Sequence, residues 1–355
     1  MTDSERYMAR CIQLAKMGAG EVAPNPMVGS VLVHDNIIIG EGFHKKFGQP
    51  HAEVNCIHSV REENKILIPE STLYVSLEPC SHVGKTPPCT DLIIKNKIRH
   101  VVIGCKDIFK EVSGRGIQQL KKAGIEVDVG ILEKECVNLN KRFFTFHEHF
   151  RPYVILKWAQ SINGKIGELT KRVMISNDFV NRIVHKWRSE AAAILIGTNT
   201  AAEDDPLLTA RLWRGKNPTR IVIDRNLKLS PSLKVFNNEA ATIVYNTRKN
   251  ATEDNLHFIK ISAPNQDSEQ NHFPEQILAS LFELNIQSVL IEGGTKTLQS
   301  FIDLGIWDEA RIITNEKLSI ENGIAAPEMK GFVLQKQENY LENTITYYRN
   351  SRNNF

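Results

Sequence analysis

The chain has 355 residues, 41% of them hydrophobic and 24% charged, with a formal net charge of +3. That length suits two domains of ordinary size, and the composition can bury soluble cores. So small a charge, without any Lys/Arg block or apolar run of membrane-spanning length, argues against a nucleic-acid or membrane partner. Six cysteines behind the polar start Met1-Thr-Asp-Ser-Glu-Arg read as cytosolic thiols, so a cytoplasmic location is expected.

In chain order, Tyr7, Met8, Cys11, Ile12, Leu14 and Ala15 recur at helical spacing within residues 4–18. Pro24-Asn-Pro26 stops that helix. Residues 28–34 and 37–39 read as strands of a hairpin around Asp35-Asn36. A helix over 51–61 starts at His51, and residues 72–77 form a strand ending at Glu78-Pro-Cys80. Helices at 91–97 and 116–123 alternate with strands at 101–104 and 125–129, the rhythm of an α/β layered domain. Residues 131–149 close this half as a helix and linker.

A second unit starts at Arg151-Pro152. Strands are expected at 154–156, 193–197, 220–224, 242–245 and 289–291. Helices are expected at 177–190, capped by Asn177, and at 278–283 and 296–304. The polar run 250–272 reads as loop and the tail 349–355 as frayed. The expected domains are 1–148 and 149–355.

The chemistry of the first half concentrates in His51-Ala-Glu53 and Glu78-Pro-Cys80-Ser-His-Val-Gly-Lys-Thr-Pro-Pro-Cys89. One imidazole and two thiols leave the fourth position of a tetrahedral Zn²⁺ open, the layout of a catalytic site. Glu53, on the opening turn that carries His51, is placed to move a proton. Thr90 is a plausible N-cap that would put Cys89 at a helix start, where a thiolate is favoured. Cys56 lies roughly 140° around the helix from His51 and points elsewhere. His58 and His82 have no partner at telling spacing. The pattern matches that of zinc nucleobase deaminases, except that eight residues instead of two separate the cysteines. In the second half, glycine-containing turns follow the strands at Gly197-Thr-Asn-Thr200 and Ile291-Glu-Gly-Gly-Thr-Lys296. With Arg188 and Arg211 they suit a phosphorylated ligand. A G-x-G-x-x-G is missing, so a Rossmann site is not indicated.

Pro24-Asn-Pro-Met-Val-Gly-Ser-Val31, Gly42-Phe-His44, His51-Ala-Glu53 and the Glu78–Cys89 run resemble the deaminase half of the bifunctional riboflavin-biosynthesis deaminase/reductases. The Gly84-Lys-Thr-Pro-Pro88 insert is typical of that family and accounts for the long cysteine spacing. Residues 154–161, 184–188, 196–200, 204–211 and 291–294 resemble its reductase half. The resemblance implies an α/β chain in which a cytidine-deaminase-like α/β/α domain precedes a dihydrofolate-reductase-like domain. It implies Zn²⁺ on His51, Cys80 and Cys89, with Glu53 as proton donor and Asn25, His44 and Lys85 lining the substrate. In the second half it implies NADPH contacts from Ala159, Thr200, Asp204 and the turn Gly294, Thr295, Lys296, Thr297, Leu298, Gln299, Ser300. Substrate contacts would come from Arg188, Leu208, Arg211 and Glu292, and Lys157 would place sugar hydroxyls or relay a proton. The family's Ser and Trp near 172–174 have no counterpart here, so nothing is carried over from 163–174.

The implied activity is hydrolytic deamination of 2,5-diamino-6-ribosylamino-4(3H)-pyrimidinone 5′-phosphate. NADPH-dependent reduction of the ribosyl group follows, in an enzyme expected to be a homo-oligomer. Two alternatives share the zinc ligands. A nucleic-acid base deaminase with an accessory domain needs interleaved basic and aromatic residues, which the first half lacks. A zinc scaffold without catalysis has no use for Glu53.

Overall fold

The structure, a computed structural model, describes residues 1–81, 87–108, 113–168, 173–262 and 273–352. The chain divides into two compact units between His149 and Phe150.

The first unit opens with α1 (Asp3–Lys16), started by a reciprocal capping box between Thr2 and Glu5. The hairpin of β1 (Gly29–His34) and β2 (Ile37–Phe43) turns through Asp35 and Asn36. Both turn residues have positive φ, as a tight hairpin demands. Then come α2 (Ala52–His58), a 3₁₀ segment (Glu62–Glu70) and β3 (Thr72–Leu77). Next are α3 (Cys89–Lys95), β4 (His100–Cys105), α4 (Arg115–Lys122) and β5 (Glu126–Val129). The unit closes with α5 (Glu133–Leu139) and α6 (Lys141–His149). The sheet order is β2-β1-β3-β4-β5, with β3, β4 and β5 mutually parallel. One face buries Val31, Tyr74 and Val102 against α1, α5 and α6. The other buries Leu32, Val75 and Ile103 against α2, α3 and α4. Three α/β/α layers result.

The second unit runs β6 (Tyr153–Ser161), β7 (Lys165–Glu168), α7 (Asp178–Glu190), β8 (Ala193–Gly197) and α8 (Thr198–Asp204). It continues with β9 (Thr219–Ile223), β10 (Thr242–Asn246), β11 (Ala251–Glu253), β12 (Leu256–Lys260) and α9 (Phe273–Glu283). Last come β13 (Ser288–Glu292), α10 (Thr295–Leu304), β14 (Glu309–Asn315), β15 (Gly323–Ala325), β16 (Phe332–Tyr340) and β17 (Asn343–Asn350). Ten strands form one sheet in the order β11-β12-β10-β9-β8-β13-β6-β14-β17-β16, while β15 pairs with β7. The strands from β12 to β14 in that order are parallel, and β11, β17 and β16 are antiparallel additions. Apolar side chains fill both faces of this sheet.

Several expectations need correction. The run 250–272 is not all loop: β11 and β12 occupy Ala251–Lys260, where β12 pairs with β10. At Asn350 the tail is anchored, because its Nδ2 donates to the carbonyls of Gly305 and Trp307; residues 353–355 lie outside the described residues. The closing helix of the first unit breaks at Asn140, whose side-chain amide is spent on both backbone groups of Met27. The helix expected at 278 begins at Phe273. Strands β14, β16 and β17 have no counterpart among the strands expected from the sequence.

Candidate functional sites

In the first unit, His51 is the N-cap of α2 and not its first helical residue, and Glu53 is buried in the opening turn. The helix lies almost in contact with β2. A Cβ on Gly42 would sit 2.2 Å from the Cys56 backbone nitrogen, which is why glycine precedes Phe43-His44. Cys80 follows β3, and Cys89 is itself the first residue of α3 after Pro88, so Thr90 is no cap. Thr90 instead donates to the Cys80 carbonyl. These placements bring His51 Nδ1 to 3.5 Å from Cys80 Sγ and 3.4 Å from Cys89 Sγ. All three ligand atoms lie within 4.8 Å of one another, the one such cluster among the described residues.

The groups of this cluster shift one another's protons. Hydrogen bonding to Cys89 pulls the Cys80 thiol well down, with His51 adding to the effect. The same contact, with burial, pushes Cys89 up. Cys80 holds His51 above the usual imidazole range. One imidazole nitrogen and two sulfurs this close together form a donor set that suits Zn²⁺. Burial, then the Cys80 charge, pushes Glu53 up from the ordinary carboxylate range toward the working range of a general acid. Cys56 points into the core with its thiol pushed up to about 12 by burial.

Asn25, His44, His51, Glu53 and Cys80 share one cleft. Asn25 Nδ2 lies 3.2 Å from His44 Nε2, and His44 Nδ1 lies 3.2 Å from the Pro50 carbonyl. Burial lowers the His44 pKa, and its two ring nitrogens face one acceptor and one donor. Its Nδ1–H then donates to Pro50 and its Nε2 accepts from Asn25. Lys85 and His82 lie outside the described residues, and His58 is exposed.

Glu78 received no role from the sequence, yet its buried carboxylate also lines the cleft. It accepts the backbone N–H groups of Asp107, Gly114 and Ile117 at 3.2, 3.0 and 3.2 Å. The Glu-Pro-Cys80 turn is thereby tied to the start of α4. The only sequence signal was an acid directly before Pro-Cys.

In the second unit Lys157 sits within β6, not after it, and Glu292 ends β13 as its register partner. Lys157 Nζ is 3.6 Å from Glu292 Oε2. Arg188 of α7 forks onto the same carboxylate, Nε to Oε1 at 3.0 Å and Nη2 to Oε2 at 2.8 Å. Burial would push Glu292 up, but the two cations hold it at about 2. Burial lowers Lys157 despite Glu292. Arg188 is thus already paired, while Arg211 is exposed. Leu208 is buried in the core with a positive φ of 56°.

The turns opening α8 and α10 abut. Gly293 and Gly294 have φ of +88° and +71°, and a Cβ on Gly293 would come 3.0 Å from Thr200 Cγ2. One on Gly197 would come 2.5 Å from Thr297 Oγ1. Thr200, Gly294, Thr295 and Thr297 are therefore together at two helix starts, with their backbone N–H groups at hand for an anion. Asp204 is exposed at the end of α8, and Ala159 lies on β6. The helix expected at 296–304 is present and starts one residue earlier, at Thr295, so of the stretch 294–300 only Gly294 precedes it. Lys296 is exposed there and Ser300 Oγ donates to the Thr297 carbonyl. Leu298 points into the core, and Gln299 is spent on both backbone groups of Glu328.

Residues 1–105 match the family of the cytidine and deoxycytidylate deaminase zinc-binding region, and residues 152–318 match the RibD C-terminal domain. The chain is 40% identical to the riboflavin biosynthesis protein RibD of Aquifex aeolicus, over 97% of this chain and 98% of that protein. It is 33% identical to RibD of Escherichia coli over 88% of each. Among solved structures, the Thermotoga maritima diaminohydroxyphosphoribosylaminopyrimidine deaminase/5-amino-6-(5-phosphoribosylamino)uracil reductase superposes with a TM-score of 0.87 at 37% identity. That likeness covers 98% of this chain and 99% of the other. Acinetobacter baumannii RibD gives 0.87 at 29% identity, covering 98% of each.

Proposed function

This chain belongs to the RibD family of bifunctional riboflavin-biosynthesis deaminase/reductases, and we propose that its two units act in turn on one phosphorylated pyrimidine. The expected α/β fold class, a deaminase domain ahead of a dihydrofolate-reductase-like one, holds. The nucleic-acid alternative drops out, because the match to RibD proteins runs through both units.

We assign the first step, removal of the exocyclic amine from the diaminopyrimidinone phosphate, to residues 1–148. His51, Cys80 and Cys89 would hold Zn²⁺, which when bound makes a water acidic enough to act as nucleophile near neutral pH. Glu53 takes the proton that the nucleophile releases and delivers it to the departing amine. Its raised pKa makes it a better acceptor of the first proton than an ordinary carboxylate. Asn25 and His44 orient the base, and Lys85 suits the phosphate as a point charge.

The second step falls to residues 149–355. NADPH would supply the hydride that reduces ribosyl C1′. Ala159, Thr200, Asp204 and the start of α10 from Gly294 to Ser300 would line the cofactor side, Leu298 and Gln299 through backbone alone. Lys157, Arg188, Arg211 and Glu292 would face the phosphoribosyl group, with Leu208 contributing through its backbone alone. Lys157, depressed by burial, can give up a proton more readily than a surface lysine.

The reading is carried above all by the three-ligand cluster with a buried, non-ligating Glu53 beside it. We place the protein in the cytoplasm, where its six free thiols would stay reduced. No described helix is long and apolar enough to cross a membrane. We also infer a homo-oligomer, supported by the outer strand β16, which leaves Phe332, Val333 and Leu334 exposed. The deciding experiment adds the deaminated ribosylamino-uracil phosphate to the purified protein and follows NADPH oxidation. Undetectable NADPH binding would end the reductase reading, and equal use of NADH would end the cofactor preference.

A further inference from the structure

His185 has no part in the reading above. It lies on α7 one turn before Arg188, and it is 5% exposed. Its Nδ1 accepts the Leu212 N–H at 3.4 Å. Arg188 Nη1 donates to the Thr209 carbonyl at 3.3 Å. Two side chains three apart share a helix face, so α7 grips the Thr209–Leu212 turn at two points. The turn needs holding, because Asp205 and Leu208 just before it have φ of 39° and 56°. It presents the exposed Arg211 and the Thr209 hydroxyl, which is buried without a hydrogen-bond partner. Burial, then the charges of Arg188 and Arg211, push the His185 imidazole down to about 4, against Glu292 and the Thr209 backbone. The ring is neutral near pH 7.

We propose that His185 is a positioning residue of the reductase site, an uncharged acceptor that fastens the Leu212 amide to α7 and so sets Arg211 and the Thr209 hydroxyl toward the substrate. This rests on the reductase reading and deepens it. A cation here would repel Arg188 and Arg211, and an aromatic hydrocarbon would fill the space without accepting.

The test uses the full-length protein with H185F, H185Q and H185N. For H185F we expect KM for the ribosylamino-uracil phosphate to rise about tenfold, with kcat within about threefold of wild type. NADPH affinity and the deaminase rate stay at wild-type levels, and the Leu212 amide exchanges its hydrogen faster. The carbonyl of H185Q or H185N restores an acceptor and recovers most of the KM. Three results would overturn the proposal: a wild-type KM in H185F, equal losses in all three variants, or unchanged Leu212 exchange. If the wild-type protein fails to oxidise NADPH, the reductase reading falls instead, and Leu212 exchange alone decides whether His185 holds the turn.

Discussion

Lys157 and Glu292 face each other across two neighbouring parallel strands, 3.6 Å apart, and Arg188 closes on the same carboxylate from the helix above. One anion therefore satisfies two buried cations. Glu292→Ala should cost about 3–5 kcal/mol, the range for stranding buried charge, and should abolish NADPH oxidation. Thermal unfolding and the reductase assay together read both effects. A variant as stable as the parent would mean that water already screens the cluster.

The same carboxylate gives the second unit a pH signature. Its folded pKa is depressed, so its contribution is complete above the unfolded carboxylate range and drains away as the pH falls toward about 2. The shift corresponds to stability on the order of 3 kcal/mol. Urea unfolding between pH 6 and pH 3 should show wild type losing stability that Glu292→Gln never had. Parallel curves for the two proteins would contradict this account.

Glu53→Gln should keep the metal and lose deamination by roughly 10²–10⁴-fold, the usual worth of a general acid–base group. NADPH oxidation with the already deaminated substrate should be unaffected. Metal content by atomic absorption and both assays are needed. Retained deamination would remove Glu53 from the mechanism.

Chelation of the metal should separate the two activities in the same way. Deamination should stop and return with added Zn²⁺, while reduction continues. Loss of both activities on chelation would show that the metal supports more than the first unit.

Glu78→Gln leaves one oxygen and an amide donor facing three backbone N–H groups. A destabilisation of about 1–3 kcal/mol is expected, together with a lower deaminase rate as Cys80 loses its anchor. Unchanged melting and rate would reduce Glu78 to a spectator.

Residue type alone declares the chemistry of the first unit. His51, Cys80 and Cys89 carry the nitrogen and sulfur atoms that suit a metal, and the insert between the cysteines marks a family. Glu78 was hidden because a carboxylate before proline looks like any surface acid until its backbone partners are known. His185 was hidden because its neighbours Thr209 and Leu212 come from a distant turn. Strand β16 escaped notice because Gln335-Lys-Gln-Glu-Asn339 has no alternation, and β14 because Glu309 and Arg311 interrupt its apolar pattern with a buried ion pair. The helix from 296 to 304 is legible from its apolar period, and only its first residue, Thr295, lies outside the expected bounds.

Strand β6 opens the second unit, but its partners are β13 and β14, from Ser288 and Glu309 onward. During synthesis the middle of the large sheet must therefore wait until most of the chain has left the ribosome. The first unit suffers no such delay, since every strand of its sheet has emerged by Val129. The deaminase pocket should be assembled and able to take its metal while the reductase half is still an unpaired chain. That half, whose central strand waits longest for its partners, is the one open to aggregation during synthesis.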